Sequence, residues 1–243
     1  MKQVKILDVN VDAVSPEEAK EKITEFIRSK KPHLVITANS LMVNHASNDE
    51  YLKNVFNNAG LVVADSIGIV LAARLWGVRL RRIPGIDLML ELCSVISEKG
   101  YKVFLLGARD DVIRKAGGNL RLKFPSIKIA GLHHGYFKED STGEEEILDA
   151  IKSAKPDVLL VGLNTPYQEK WIYRHLKELN VPVCMGVGGS FDIISGRLRR
   201  APRWMRGAGL EWFYRFWIEV WRLKRLALLP VFMYKVILQR IKK

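Results

Sequence analysis

The chain has 243 residues, 48% hydrophobic and 27% charged, which is enough apolar content for a packed core and rules out a disordered polar chain. Two cysteines, Cys93 and Cys184, sit in apolar runs without partner spacing, which excludes a disulfide scaffold or a cysteine-based zinc site and fits a reducing compartment. The formal net charge is +13, so polyanionic partners come into question.

The chain opens MKQVKILDVNVDAV, without the apolar core of a secretion signal, and the expectation is a protein that is not exported. Residues 4–11 read as extended. Ser15 is an N-cap, Pro16 suits the first helical position and Glu18 completes a capping box, so a helix follows to about residue 30. An apolar run at 33–37 ends at Asn39 and gives way to helical stretches over 40–58. Residues 61–64, Leu-Val-Val-Ala, are a short buried strand delivering Asp65, with a helix running on through Trp76. Pro84 opens a helix that stops at Gly100. Four further apolar strands are predicted at 103–106, 127–131, 158–161 and 183–187, separated by helices around 112–124, 144–154 and 168–179. Strands apolar on both faces and joined by helices define an α/β, Rossmann-like fold: a mostly parallel sheet with helices on both sides.

In such sheets ligands bind at the carboxyl ends of the strands. Thr37 and Asn39 end one strand, Asp65 another and Gly107 a third. Asn164 ends the strand before Gln168, and Gly186, Gly188, Gly189 and Asp192 follow the last. The GVGGSFD glycines serve either close backbone approach to a nucleotide or a plain tight turn. Asp192 either bonds a ribose hydroxyl or caps that turn. Asp65 is either the N-cap of the helix from Ile67 or a catalytic base. His134, in GLHHGYF, has no metal-ligand spacing around it, and with Tyr136 and Phe137 it could line a pocket. There is no nucleophile-elbow or Walker motif, and no Asp-x-Asp pair to hold a metal on a nucleotide diphosphate. The expectation is therefore no metal and no cofactor.

The charge is concentrated at one end. Residues 197–243 hold thirteen Lys and Arg against two acids, Glu211 and Glu219, and four of the six tryptophans; the other 196 residues carry 26 bases and 24 acids. Two units follow: an α/β catalytic domain over 1–196 and a basic, Trp-rich amphipathic helical appendage over 197–243. A helix is predicted over 210–229, stopped by Pro230. At 100° per residue its Arg215, Arg222 and Arg225 fall within an arc of roughly 80°, while Trp212, Phe213, Phe216, Trp217 and Trp221 take the other side. The apolar stretch 226–238 is too short and too interrupted to span a bilayer, which needs about 20 residues. An interfacial helix on an anionic membrane fits better; the same apolar face could instead be buried in a second copy of the chain, as a homo-oligomer.

The blocks TANSLMVNHA, ADSIGIV, RIPGIDLM, GLNTPYQEKWI and GVGGSFDIISGRLRRAPRWMRGAGLEWFYR resemble, in order, the signature blocks of the WecG/TagA/CpsF glycosyltransferase family, most closely its TagA branch. The resemblance runs from about residue 3 to the end of the tail. It implies an inverting, metal-independent transferase at the cytoplasmic face of a bacterial membrane, moving N-acetylmannosamine from UDP-ManNAc to GlcNAc-diphosphoundecaprenol in wall teichoic acid synthesis. It further implies that Asp65 is the general base, that Thr37, Asn39 and Gln168 line the pocket, and that Arg215, Arg222 and Arg225 complete the site. The blocks do not separate donors, so ManNAc uronic acid or glucose remains an alternative. From other classes, an oxidoreductase lacks a GxGxxG after its first strand. A nucleic-acid-binding module would need aromatics and arginines on one face, which the helical projection does not give, so no nucleic-acid partner is expected.

Overall fold

The computed structural model describes residues 2–207, 211, 213–214 and 228–241. It begins with β1 (Gln3–Ile6) and β2 (Val9–Asp12), an antiparallel hairpin. The predicted single extended start is broken because Leu7 and Asp8 both adopt left-handed backbone, φ 46° and 64°, as a two-residue hairpin turn requires. Helix α1 (Pro16–Ser29) has the predicted capping box: Ser15 Oγ accepts from Glu18 N–H, and Glu18 accepts from Ser15 N–H.

There follow β3 (His33–Ala38), α2 (Ser40–Ala46), α3 (Glu50–Asn57), β4 (Leu61–Ala64), α4 (Ile67–Arg74) and α5 (Gly85–Lys99). Next come β5 (Lys102–Gly107), α6 (Asp110–Lys123), β6 (Lys128–His133), α7 (Thr142–Ala154), β7 (Val158–Gly162), α8 (Tyr167–Leu179) and β8 (Val183–Gly186). The chain closes with α9 (Ser190–Ile194), α10 (Arg203–Gly207) and α11 (Leu228–Ile241).

Six strands pair in the order β4-β3-β8-β7-β5-β6, every pairing parallel. Successive side chains of a strand point to opposite faces, and the core divides accordingly. Val35, Val63, Leu105, Leu160 and Met185 face α1, α5, α6 and α9; Leu34, Ile36, Val62, Leu106 and Val161 face α2, α3, α4, α7 and α8. This two-sided burial is why the strands read as continuous apolar runs. The hairpin belongs to the second layer, where Asp12 accepts from Val62 N–H and covers an edge of β4. Cys93 and Cys184 are buried and unpaired, and burial pushes both thiols up to about 12.

The carboxyl-terminal helix corrects one expectation. Pro230 does not stop a helix; it lies inside α11, which continues from it to Ile241. Phe232 and Val236 of α11 are fully buried beside α2 and α4. Gln239 accepts from Leu7 N–H, and Lys235 donates to Ser47 Oγ. Val231, Tyr234, Ile237 and Ile241 of α11 are exposed, as are Leu71 of α4 and Leu75 at its C-cap. Among the described residues no helix is long and apolar enough to cross a membrane.

Candidate active site

The carboxyl ends of β4, β3, β8 and β7 open onto one cavity of about 430 Å³. Seven of the predicted residues line it: Thr37, Asn39, Asp65, Asn164, Gln168, Gly188 and Gly189. The first residues of α4, α5 and α8 lie there too, with Ile67, Gly85 and Gln168 on the wall. Helix N-termini carry partial positive charge and unsatisfied N–H groups, so this convergence favours an anionic ligand.

Of the two sequence readings of Asp65, the structure removes one. The residue is not the cap of α4: Ser66 holds that position, without a side-chain capping bond. Instead Asp65 Oδ1 accepts from the backbone N–H of Gly85 at 3.0 Å, at the start of α5. Its carboxylate is thus oriented by a helix twenty residues further along the chain, on the cavity wall. Asn39 caps α2, its Oδ1 accepting from Leu41 and Met42 N–H. Gln168 Oε1 accepts from Gly188 N–H at 3.0 Å and so ties α8 to the turn after β8.

The remaining predicted residues lie elsewhere. His134 and Tyr136 border a separate open depression with Arg109, Asp110 and Asp111. Phe137 packs edge-on against Trp171, ring centroids 5.9 Å apart. Gly107, at φ +133°, lies where a side chain would meet the Gly162 backbone, a packing constraint of the β5–β7 pair. A Cβ at Gly186 would stand 2.6 Å from Gln168 Nε2. Asp192 is in α9, 3.8 Å from Arg197 Nε and off the cavity wall. Phe213 is exposed. Arg215, Arg222, Arg225, Trp212, Phe216, Trp217 and Trp221 lie outside the described residues.

A chain of ion pairs was missed. Arg82 donates through Nε to the Asp65 carbonyl at 2.8 Å and through Nη2 to Glu211 Oε2 at 3.0 Å. Arg200 donates through Nε to Glu211 Oε1 at 3.1 Å and forks onto both oxygens of Asp87, at 2.6 and 2.7 Å. Glu211 is 5% exposed and lines the cavity with Arg82. Burial works against the Arg200 guanidinium's charge, but Asp87 and Glu211 outweigh it and its pKa is raised. The available signal was an isolated acid in a strongly basic stretch, a residue type rarely buried unless paired. Among the described residues no group of three or more His, Cys, Asp or Glu side chains is placed to hold a metal ion.

Glu169, beside Gln168, is 1% exposed, and burial pushes its carboxyl up to about 7 against the opposing bonds from the Gln168 amide and its own backbone N–H. A raised carboxyl pKa stabilises the fold below the ordinary value of 4.5, and that contribution is lost as pH rises through 7. Glu169→Gln is therefore expected to gain on the native protein by about 2–3 kcal/mol between pH 5 and pH 8, at roughly 1.4 kcal/mol per pKa unit. Urea unfolding of both proteins at the two pH values measures it; a constant difference refutes it.

A parallel α/β sheet with a strand-end cavity, a carboxylate on its wall and converging helix N-termini is the form of site that takes an anionic, nucleotide-like ligand. The glycosyl transferase WecG/TagA/CpsF family model matches residues 4–243, and the chain belongs to that family. It is 37% identical, over 96% of its own length and 92% of theirs, to proteins of Staphylococcus aureus strains NCTC 8325 / PS 47 and COL. Both are named N-acetylglucosaminyldiphosphoundecaprenol N-acetyl-beta-D-mannosaminyltransferase. A protein of the same name from strain MRSA252 matches at the same identity and coverage.

Proposed function

We propose that this chain transfers N-acetylmannosamine from UDP-ManNAc to the 4-hydroxyl of GlcNAc-diphosphoundecaprenol, making the beta-linked linkage disaccharide of wall teichoic acid. The observation that carries the reading is the position of Asp65 on a cavity rimmed by the N-termini of α4, α5 and α8. Transfer with inversion is one displacement. The acceptor hydroxyl attacks the anomeric carbon, its proton passes to a base, and the UDP diphosphate departs carrying the bond electrons. Asp65 is assigned the proton because its carboxylate lies on the cavity wall at a strand end, oriented there by the Gly85 N–H. The helix N-termini meet the charge that develops on the diphosphate.

In this reading residues 1–196 form the catalytic body and 197–243 an appendage that completes the site. Glu211, Leu228 and Leu229, which flank Arg215, Arg222 and Arg225 in the sequence, all line the cavity. Those arginines are proposed to neutralise the leaving diphosphate, where guanidinium forks are effective. The exposed apolar surface of α4 and α11, with exposed Trp204 and Phe213, is proposed to rest on the anionic cytoplasmic leaflet where the acceptor resides.

The experiment is product analysis with UDP-ManNAc, supplied as UDP-GlcNAc with an epimerase, and a short-chain lipid-diphosphate-GlcNAc. The expected product is the ManNAc-GlcNAc disaccharide lipid, formed faster when the acceptor is in anionic vesicles than in detergent. No transfer from any UDP-sugar tested would overturn the reading.

A further inference from the structure

We infer that Glu169 is a positioning residue for the cavity: its carboxylate fixes which way the Gln168 amide faces, and through that amide holds the Gly188–Gly189 turn in place. A glutamine amide has nearly the same outline after a half-turn, which exchanges its donor and its acceptor. Here two neighbours decide the orientation. Gly188 offers only an N–H, which donates to Gln168 Oε1 at 3.0 Å. On the other side Gln168 Nε2 donates to Glu169 Oε1 at 2.6 Å. Glu169 Oε1 accepts when the group is ionised, and still accepts when a proton sits on Oε2, so the arrangement survives either charge state.

The surroundings leave the amide little freedom. A Cβ at Gly186 would lie 2.6 Å from Gln168 Nε2 and 3.0 Å from Glu169 Oε1, so the pair is packed directly on the end of β8. The turn it holds is left-handed at Gly188, φ +50°, and both Gly188 and Gly189 face the cavity. Glu169 Oε2 has no hydrogen-bond partner among the described residues although it is buried. Such a group destabilises the fold, and a neutral side chain of the same size would pack there at lower cost. Among the described residues the one bond Glu169 makes to another side chain is the one that orients Gln168. Its role therefore acts through Gln168 rather than through packing.

Two measurements test this, the second resting on the transferase reading and the first independent of it. In the full-length protein, Glu169→Gln presents an amide that can offer either a donor or an acceptor to Gln168. Hydrogen exchange of the Gly188 backbone amide, read by NMR, is expected to quicken at least tenfold. Val187 N–H, bonded to the Val161 carbonyl, is expected to keep its rate. Unchanged exchange at Gly188, or equal acceleration at both, overturns the inference. In the second arm, Glu169→Gln is expected to lower kcat for transfer about tenfold. The same change is expected to add nothing in a Gln168→Ala background, whereas Glu169→Asp recovers part of the loss. Additive losses in the double variant overturn the inference. Absence of transfer in the native protein overturns the proposed function alone, since the exchange measurement still decides the role of Glu169.

Discussion

Asp65→Asn is expected to lower kcat for sugar transfer about 10³-fold, within the range that a positioned general base contributes. The donor KM should move less than about threefold, because the base acts on the acceptor hydroxyl in the transition state and not on the bound nucleotide. The substitution separates chemistry from structure unusually well at this position. Asparagine keeps an oxygen to accept the Gly85 N–H bond that now orients the carboxylate, and Ser66, not Asp65, stands at the N-cap of α4. The melting temperature should therefore change by only a degree or two while turnover collapses. Steady-state kinetics with the short-chain acceptor, beside calorimetry of both proteins, reads the two effects separately. Turnover near the native rate would remove Asp65 from the chemistry. A large fall in melting temperature would instead mean that its main work is holding the start of α5.

What could be read from the sequence divides along a physical line. The strands were legible because burial on both faces leaves apolar runs, and the start of α1 because Ser15, Pro16 and Glu18 carry their capping signal within four residues. Asp65 stood out because it follows such a run, at the end of a strand where parallel sheets bind ligands. Its partner could not be foreseen: Gly85 is twenty residues away and meets it only through the packing of α5 beside β4. The Arg82–Glu211 and Arg200–Asp87 pairs are 129 and 113 residues apart in the chain, and no local periodicity encodes such contacts. Strand-end position alone also grouped too much. His134 and Tyr136 follow β6, the far edge of the sheet, and so open onto a different depression from residues following β3 and β4. Pro230 gives no such guide, because a proline inside a helix and one just past its end look alike in sequence; the burial of Phe232 and Val236, which seats α11 on the body, is a tertiary contact that no local pattern carries.

Glu211→Ala is expected to reduce kcat about 10²-fold, although Glu211 makes no bond to the proposed base. The carbonyl of Asp65 accepts from Arg82 Nε, Arg82 is held by Glu211, Glu211 by Arg200, and Arg200 by the fork on Asp87 in the first turn of α5. The chain of contacts thus returns to the helix whose Gly85 N–H orients the Asp65 side chain. Removing Glu211 leaves two guanidiniums, with side chains only 20% and 15% exposed, facing an empty position. Breaking one side of a buried ion pair costs about 3–5 kcal/mol; partial exposure of both arginines should hold the loss to about 2–3 kcal/mol. Relaxation of Arg82 would then release the Asp65 loop, and a displacement of about 1 Å is enough to cost 10²-fold in rate. Glu211→Gln keeps the shape but has one acceptor oxygen for two donors, so an intermediate loss is expected. Arg200→Lys keeps the charge but gives up the fork on Asp87, and should also fall between. All three are to be assayed well below their melting temperatures, so that unfolded protein does not contribute. If Glu211→Ala melts early but turns over like the native enzyme, the ion pairs only anchor the tail. If kcat falls in the order Glu211→Ala, then Arg200→Lys and Glu211→Gln, the basic tail sets the geometry of the base.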